Sequence, residues 1–270
     1  ISSIVISLLV FAVGIFRSLG IFEMFNTAIA LAVEVVPEGL PAVVTISLAI
    51  GVRRMLKKNA LIRKLRAVET LGSTTVICSD KTGTLTRNEM TVKKIFAYNK
   101  MIEVSGEGYD IKGDFYSSKK KIDPMSLRNL FNIAASCNNS VLPNIGDPTE
   151  LALLVLAKKA GINRIEERIH EVPFDPKKKY MSTTHKIYHE EVTFIKGAPE
   201  TVLGFCDYIE IREKILKLNN RSKRNVLEKN YEMTLQALRV LGLAYKKHGK
   251  TVFVGLTGMI DPPRKEVKEA

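Results

Sequence analysis

The chain contains 270 residues, of which 46% are hydrophobic and 26% are charged, and its formal net charge is +13. The charge is unevenly distributed: residues 1–52 contain only four charged side chains and carry a net charge of −2, so the remaining 218 residues carry +15. This division excludes a single soluble domain, a disordered chain and a collagen-like protein. The three cysteines, Cys78, Cys137 and Cys206, form no CxxC pair. The sequence therefore supports neither a disulfide framework nor a zinc site, and it predicts reduced cytosolic thiols.

Two apolar runs open the chain. Residues 1–16 hold no charge and residues 24–52 are almost wholly apolar, and a helix needs about 20 apolar residues to cross a bilayer. We therefore expect residues 1–52 to form a pair of transmembrane helices; the alternative is a buried hairpin in the core of a soluble protein. The first run is short and has no initiator methionine, so we expect the natural protein to begin earlier. Neither the basic head nor the cleavage site of a signal peptide is visible.

The charges that flank these runs predict their orientation. The connecting residues 17–25 carry one base and one acid, whereas residues 53–66 carry seven bases and no acid. The positive-inside rule places the basic flank in the cytoplasm, so residues 53–270 are expected to be cytoplasmic. A basic run can also bind nucleic acid. Its position directly after an apolar span favours the headgroups of the lipid bilayer over nucleic acid.

The second apolar run contains the pattern Glu34, Pro37, Glu38 and Pro41. Carboxylates at membrane depth are costly, and prolines remove backbone donors and free carbonyl oxygens. Freed carbonyls and a carboxylate together make an oxygen cage suited to a hard cation, which predicts an ion path. The alternative is a kinked helix whose glutamates are neutral or paired.

The string TTVICSDKTGTLTRNE begins at residue 74. Residues 76–78 form a short, partly β-branched run, which predicts a parallel strand that ends just before Asp80. Ligands bind at the carboxyl ends of such strands. Asp80 can therefore act as a carboxylate nucleophile that forms an aspartyl phosphate, with Mg²⁺ offsetting the phosphate charge. Lys81 supplies a cation, and Thr82 and Thr84 supply hydroxyl and turn donors around the phosphoryl group.

Several motifs in order carry a resemblance to a known family. CSDKTGTLT at 78–86 resembles the phosphorylation motif of P-type ATPases, which belong to the haloacid dehalogenase superfamily. PEGLP at 37–41 resembles the ion-site motif in the fourth transmembrane helix of the type II cation pumps, the calcium pumps among them. The further matches are GDPTELAL at 146–153, VPFDPKKKYMS at 172–182, KGAPE at 196–200, LRVLGLA at 238–244 and GMIDPPR at 258–264.

The resemblance implies an α+β multidomain protein with membrane helices. Residues 1–52 would be the third and fourth transmembrane helices, and residues 53–88 the first part of a haloacid-dehalogenase-like α/β phosphorylation domain. Residues 89–262 would be the inserted α/β nucleotide-binding domain, and residues 263–270 a truncated return into the phosphorylation domain. The actuator domain, the later phosphorylation-domain motifs and the other membrane helices are not found in the sequence. We expect a fragment of a pump that is inactive on its own.

The resemblance also assigns roles around the nucleophile. Asp80, Lys81 and Thr82 would be catalytic, and Asp80 together with the carbonyl oxygen of Thr82 would bind Mg²⁺. Related phosphatases have a second aspartate at the position of Thr82, where it acts as general acid and base. Without that carboxylate, proton transfer to the leaving group and from water is weakened, so the phosphoenzyme is expected to be long-lived.

For ATP, the resemblance places Glu150 near the adenine amino group and Phe174 on the adenine ring. Aromatic faces stack on bases, and cationic side chains complement phosphate. The other residues that the resemblance assigns to nucleotide binding are Lys179, Lys196, Arg239 and Arg264. Arg264 also belongs, with Asp261, to the strand that returns to the phosphorylation domain; the alternative for this segment is an ordinary X-Pro turn.

Ion transport is assigned to Glu38, Glu34, Val33 and Val36. Glu38 would be a direct ligand, and Glu34, a neighbouring acid, would tune the site. Ca²⁺ is the first expectation, followed by Na⁺, K⁺ or H⁺. Two other classes stay open: a soluble dehalogenase-superfamily phosphatase, disfavoured by Thr82 and by the two apolar runs, and a non-catalytic nucleotide-binding fragment.

The remaining patterns concern secondary structure. Residues 99–126 mix glycines, lysines and other polar residues without a helical period, which predicts strands and loops. Residues 148–160 and 223–240 carry apolar side chains at helical spacing. We expect these two segments to be helices that pack on a sheet.

Overall fold

The structure is a computed structural model. It describes residues 2–34, 39–163, 167–212 and 214–269. The chain divides into two compact units, residues 1–78 and residues 79–270.

The first unit is helical. Its helices are α1 (Ser2–Phe16), α2 (Ile21–Glu34), α3 (Leu40–Lys57) and α4 (Arg66–Gly72). Helices α1 and α2 pack against each other, and the rings of Phe11 and Phe25 meet edge to face with their centroids 6.3 Å apart. Pro41 lies in the first turn of α3, where its missing N–H removes no helical hydrogen bond.

Helices α2 and α3 contain the described residues of the second apolar run. Helix α2 is described as far as Glu34, and α3 begins at Leu40, inside the PEGLP motif at 37–41. Val36 and Glu38, two of the predicted ion-site residues, lie outside the described residues. In the part of the chain that the structure describes, every helix is too short or too polar to cross a bilayer. The two transmembrane helices therefore stay a prediction.

The second unit is built on a single mixed sheet. Its described strands are β1 (Thr91–Ala97), β2 (Lys100–Val104), β3 (Phe115–Ser117), β4 (Lys120–Lys121), β5 (Arg168–Asp175), β6 (Tyr180–Ile187), β7 (Glu190–Gly197), β8 (Tyr208–Ile211), β9 (Lys214–Lys217), β10 (Arg239–Lys247) and β11 (Lys250–Ile260). The spatial order is β4-β3-β2-β1-β11-β10-β7-β6-β5, with β8 beside β11 and β9 beside β8. Only the β8–β11 pairing is parallel among the described strands.

Helices cover both faces of this sheet. They are α5 (Arg128–Ser136), α6 (Pro148–Lys159), α7 (Pro199–Phe205) and α8 (Asn220–Leu235). Ile95 belongs to the core under α5 and α6, whereas its neighbour Phe96 belongs to the core under α7 and α8. Leu243 and Ala244 divide in the same way. Successive residues of a strand point to opposite faces, so the two cores lie on opposite sides of one sheet.

Most of the predicted elements of this unit are confirmed. Helix α6 confirms the helix at 148–160, and β2, β3 and β4 confirm strands and loops within 99–126. The predicted helix at 223–240 is correct in type but wrong in extent. Helix α8 ends at Leu235, Ala237 has a positive φ of 58°, and Arg239 opens β10. Pairing of β10 with β7 and β11 outweighs the helical spacing at the end of that segment.

The strand predicted at residues 76–78 is wrong. This segment has no regular secondary structure, and Val76 and Ile77 are 71% and 88% exposed. A strand needs a neighbour to pair with its backbone N–H and C=O groups. Among the described residues no strand pairs with this segment. Its β-branched residues alone do not make it a strand.

Candidate functional site

A cavity of about 480 Å³ lies in the second unit. Five of the six residues predicted to bind nucleotide line it, and they come from four separate segments of the chain: Glu150, Phe174, Lys179, Lys196 and Arg239. The other lining residues are Asn139, Asp147, Thr149, Leu153, Met181, Gly197, Ala198, Pro199, Val240 and Leu241.

Glu150 reaches the cavity because of how helix α6 begins. The Asp147 carboxylate caps the helix by accepting hydrogen bonds from the backbone N–H of Thr149 at 2.8 Å and of Glu150 at 3.4 Å. Pro148 occupies the first helical turn, where proline is favoured. This start places Glu150 in the first turn and at the cavity wall.

Glu150 and Lys196 form an ion pair at the wall of the cavity. Lys196 Nζ lies 2.6 Å from Glu150 Oε1. The side chain of Lys196 is only 8% exposed and that of Glu150 only 16%. The other carboxylate oxygen, Oε2, accepts hydrogen bonds from the Asn139 N–H at 3.0 Å and from the Ser140 hydroxyl at 3.3 Å. A charge pair with little water needs such additional hydrogen bonds to offset its lost hydration.

Gly197 brings two of the lysines to the same place. A Cβ atom at Gly197 would lie 2.4 Å from the carbonyl oxygen of Lys179 and 2.8 Å from Tyr180 Cα, so no other residue fits without movement of the backbone. The N–H of Ala198 donates to the same Lys179 carbonyl at 2.9 Å. The end of β7, which carries Lys196, is thereby joined to the turn that carries Lys179.

The rest of the lining combines an aromatic ring, an apolar floor and a further cation. Phe174 is 57% exposed, while Leu153 and Met181 are buried. Arg239 donates from Nη1 to the Thr149 hydroxyl at 3.1 Å, which holds its guanidinium at the wall. A flat aromatic group can stack on the exposed ring, and the three cations can complement an anionic group. The cavity therefore suits a ligand that has both parts.

The loop that carries Asp80 is a separate structure in the same unit. Asp80 has an extended backbone and is exposed, as are Lys81 and Thr82. A turn follows, closed by the hydrogen bond from the Thr86 N–H to the Lys81 carbonyl oxygen at 3.0 Å, and Gly83 has a φ of 78°, which glycine adopts without strain.

The segment around residue 261 ties this loop to the end of the sheet. The Thr86 hydroxyl lies 2.5 Å from Asp261 Oδ2, and Thr86 is buried. Arg264 donates from Nη2 to the Gly83 carbonyl at 3.1 Å, and its backbone N–H donates to the Leu85 carbonyl at 2.9 Å. The structure thus places Arg264, the sixth predicted nucleotide residue, against the loop and not in the cavity lining.

The profile of the family described as P-type ATPase, cytoplasmic domain N, matches residues 120–266, which is more than half of the chain. The chain belongs to the P-type ATPase family. The region matched as domain N contains all five of the predicted residues that line the cavity.

Individual P-type ATPases match over almost the whole chain. A calcium-transporting ATPase 1 of Bacillus cereus is 42% identical over 99% of this chain and 31% of its own length. The cation-transporting ATPase pma1 of Synechocystis is 43% identical over 95% of this chain and 32% of its own. The human calcium-transporting ATPase type 2C member 1 is 40% identical over 97% of this chain and 30% of its own. The chain spans about a third of the length of these relatives.

The predicted ion-site residues of this P-type ATPase chain are only partly described. Val33 and Glu34 lie in the last turn of α2, and both are exposed. Among the described residues, no group of three or more histidines, cysteines or acids is close enough to hold a metal ion.

Three polar residues of the cavity were not predicted from the sequence: Asn139, Asp147 and Thr149. An Asp-Pro pair before a helical period is a helix-start signal, so Asp147 and Thr149, which follows Pro148, could have been found in that way. Asn139 lies in an irregular segment after α5 and carries no such signal. Its role depends on the approach of Glu150 in space.

Proposed function

We propose that this chain is part of an ATP-driven cation pump that forms an aspartyl phosphate at Asp80, and that the transported ion is Ca²⁺. The observation that carries the proposal is the cavity, in which Glu150, Phe174, Lys179 and Lys196 converge with Arg239. The names of the Bacillus cereus and human relatives support Ca²⁺ as the ion.

In this proposal the cavity binds ATP. The adenine ring stacks on the exposed face of Phe174, and its amino group donates to Glu150 Oε1, which has one lone pair beyond its bond to Lys196. Lys179 and Arg239 complement the phosphates. Affinity is expected to be weak, near millimolar or about −4 kcal/mol, because Asp80 and its loop do not line the cavity.

Phosphoryl transfer is assigned to the Asp80 loop. The Asp80 carboxylate attacks the γ-phosphorus, an oxygen–phosphorus bond forms, and the bond to the leaving ADP oxygen breaks. Lys81 offsets charge on the transferred group. Thr82 has no acidic proton to give and cannot act as a base at neutral pH, so hydrolysis of the phosphoenzyme is slow enough for a conformational step.

The residues present fit a magnesium ion at this loop. Mg²⁺ usually keeps several waters and binds through one or two carboxylates together with substrate phosphates. An exposed carboxylate at Asp80 and the nearby carbonyl oxygen of Thr82 match that requirement. When bound, Mg²⁺ would neutralise phosphate charge.

The other parts of the proposal concern the domains and the membrane. Residues 1–52 cross the bilayer twice, and residues 53–270 lie in the cytoplasm. Residues 53–88 and 263–270 belong to the phosphorylation domain, and residues 89–262 form the nucleotide-binding domain. The basic run that follows α3 lies against lipid headgroups.

In this proposal Glu38 binds the transported cation and Glu34 tunes the site. Val33 and Val36 are assigned to the same ion path. Na⁺, K⁺ or H⁺ are the alternatives to Ca²⁺, and the Synechocystis relative is named only as cation-transporting.

Labelling from ATP tests the phosphoenzyme. In the complete pump that contains this sequence, label from the γ-phosphate should be stable in acid and released by hydroxylamine. Asp80→Asn should abolish the label, while Asp110→Asn, a change of an exposed acid outside the loop, should keep it. Label that persists in Asp80→Asn would refute the assignment of the nucleophile.

The ion site is tested by the direction of phosphorylation. Glu38→Gln should weaken ion-dependent phosphorylation from ATP and preserve phosphorylation from inorganic phosphate, which needs an ion-free site. Glu34→Ala should shift ion affinity or its pH dependence more than the maximal rate. An unchanged ion dependence in Glu38→Gln would leave PEGLP as a structural break only. Titrations with Ca²⁺, Na⁺ and K⁺ and at varied pH identify the ion.

A further inference from the structure

Arg168 holds together a segment that the cavity depends on. It opens β5, and its guanidinium donates to the side-chain carbonyl oxygen of Asn139 and to Glu171 Oε2 at 2.7 Å. It also donates to the backbone carbonyl oxygens of Ser136 at 3.2 Å and Asn138 at 2.5 Å. One side chain therefore binds four acceptors, three of which belong to residues 136–139. Arg168 itself does not line the cavity.

Residues 138 and 139 of the same segment also donate hydrogen bonds to Glu150. The Asn139 N–H donates to Glu150 Oε2 at 3.0 Å, and the Asn138 side-chain amide donates to the Glu150 backbone carbonyl at 2.8 Å. The Asn139 side-chain amide donates to Glu171 Oε1 at 2.7 Å. A continuous set of hydrogen bonds thus runs from Arg168 through residues 136–139 to both the side chain and the backbone of Glu150.

The negative charge of Glu171 stabilises the position of Arg168. The Asn139 amide and the Arg168 guanidinium hold the pKa of the Glu171 carboxyl below its usual range. Glu171 therefore stays ionised at neutral pH and anchors Arg168 through an ion pair at 2.7 Å. A guanidinium that donates several hydrogen bonds has a fixed planar geometry, so it restrains the segment more than a flexible ammonium would.

The orientation of the Glu150 carboxylate follows from these bonds. Oε2 accepts from Asn139 and Ser140, and Oε1 accepts from Lys196. Each carboxylate oxygen has two lone-pair sites. Oε2 is therefore filled, and the remaining acceptor site of Glu150 lies on Oε1, at the cavity wall.

We propose that Arg168 is a positioning residue that fixes this acceptor site of Glu150 and so sets a preference for purine nucleotides with a 6-amino group. The inference rests on the proposed binding of ATP in the cavity. ATP presents an amino donor to Glu150, whereas ITP has a carbonyl oxygen at the same ring position and a proton on the adjacent ring nitrogen N1; the ribose and triphosphate are the same in both. The ratio of the two affinities measures the position of the carboxylate, and the affinity for ITP measures the rest of the cavity.

Competition with a fluorescent trinitrophenyl-ATP probe tests the proposal on the 270-residue chain in detergent. The wild type should bind ATP about tenfold more tightly than ITP, the size expected of one hydrogen bond to a charged acceptor. Arg168→Gln should lower this ratio to about threefold or less and leave ITP affinity within about twofold. The ratio in Arg168→Lys should lie between those of the wild type and Arg168→Gln, because lysine keeps the charge but loses the planar set of guanidinium donors. The matched control is Arg221→Gln, an exposed arginine on α8.

Each outcome decides the question. A reduced ratio with unchanged ITP affinity supports the positioning role. An unchanged ratio in Arg168→Gln, or an equal loss of both affinities, overturns it, as does a wild type that does not discriminate. A wild type that binds neither nucleotide refutes the proposed function as well, which separates the two failures. If Arg168→Gln does not fold, Glu171→Gln removes the anchor at constant size and should lower the ratio in the same direction by about twofold.

Discussion

The cavity and the Asp80 loop belong to the same compact unit but are built in different ways. The cavity wall consists of residues at the ends of β5, β7, β10 and α6, and its central ion pair between Lys196 and Glu150 is almost buried. The loop is exposed from Asp80 to Thr82. Among the described residues, Asp261 and Arg264 make the side-chain hydrogen bonds that connect the loop to the sheet.

This difference separates two kinds of functional geometry. At the cavity, packing, close backbone approach and charge pairing support one another, so a change at one residue should disturb folding and binding together. At the loop, a few hydrogen bonds hold an exposed turn, so a change should alter local order with little effect on the cavity. The following variants are chosen to distinguish these two behaviours in the 270-residue chain.

Lys196→Met should cause the largest loss. It leaves the Glu150 carboxylate without its cation at a site where both side chains are nearly buried. Breaking such a pair from one side costs about 3 kcal/mol of unfolding free energy, and ATP affinity should fall at least tenfold. Urea unfolding and probe competition measure the two effects. Lys186→Met, the same change at an exposed position of β6, is the control. Equal effects of the two substitutions would show that the pair contributes nothing specific.

Gly197→Ala should have the next largest effect. The added methyl group would meet the Lys179 carbonyl oxygen at 2.4 Å, so the backbone of β7 or of the Lys179 turn must move. We expect a loss of about 2 kcal/mol in stability, as in other overpacked sites, together with weaker nucleotide binding. Gly204→Ala is the opposite case. It has no heavy atom within 4 Å of the new Cβ and lies in α7, so it should be neutral or stabilising by about 0.5 kcal/mol. A neutral Gly197→Ala would contradict the close approach.

Thr86→Val tests the loop. It removes the hydroxyl that bonds Asp261 Oδ2 and that accepts from the Gly83 N–H at 3.2 Å. The expected cost is about 1.5 kcal/mol, because a charged acceptor loses its donor. Limited proteolysis near residues 79–88 should become faster, and ATP affinity should stay within about twofold. Thr84→Val, an exposed threonine of the same loop, should change neither stability nor proteolysis. A large loss of nucleotide binding in Thr86→Val would erase the distinction between the two regions.

Tyr245→Phe should have the smallest effect, and mainly at high pH. Burial and the Glu210 carboxylate raise the pKa of Tyr245 to about 12. The folded state therefore holds this proton more tightly than the unfolded chain, whose tyrosine pKa is about 10. The resulting stability is present below pH 10 and is lost as pH rises from 10 to 12. Between about pH 10 and 12 the stability of the variant should fall less than that of the wild type. At neutral pH the variant should be about 1 kcal/mol less stable than the wild type, because it lacks the hydrogen bond.

Unfolding at stepped pH values measures this difference. Tyr231→Phe, at an exposed tyrosine of α8, should retain the pH dependence of the wild type. Tyr245 and Arg239 share strand β10, so the test reports on the stability of the sheet that supports the cavity. A Tyr245→Phe variant with the pH profile of the wild type would contradict the raised pKa.

Much of the cavity could be predicted from motif order, and its supports could not. The motifs around Glu150, Phe174 and Lys196 named the residues that line one cavity, although they are far apart in the chain. Their spacing says nothing about the Arg168 contacts, since these depend on β5 lying beside residues 136–139. Helix α6 was predictable from its period and cap, whereas the end of α8 was not. The competing strand pairings of β10 involve partners distant in sequence.

The amino-acid order alone carried the uneven charge, the apolar runs and the DKTGTLT string, and the resemblance of its motifs to a known family implied which residues bind nucleotide. These features are local: hydropathy, helix caps and turn glycines act within a few residues of the chain. Folding was needed to fill one oxygen of Glu150 with Asn139 and Ser140, to place Gly197 against Lys179 and to set Arg264 at the loop. It also left residues 76–78 without a strand partner among the described residues. Pairing and close approach depend on which distant segments meet, and that is decided when the sheet forms and both of its faces are covered.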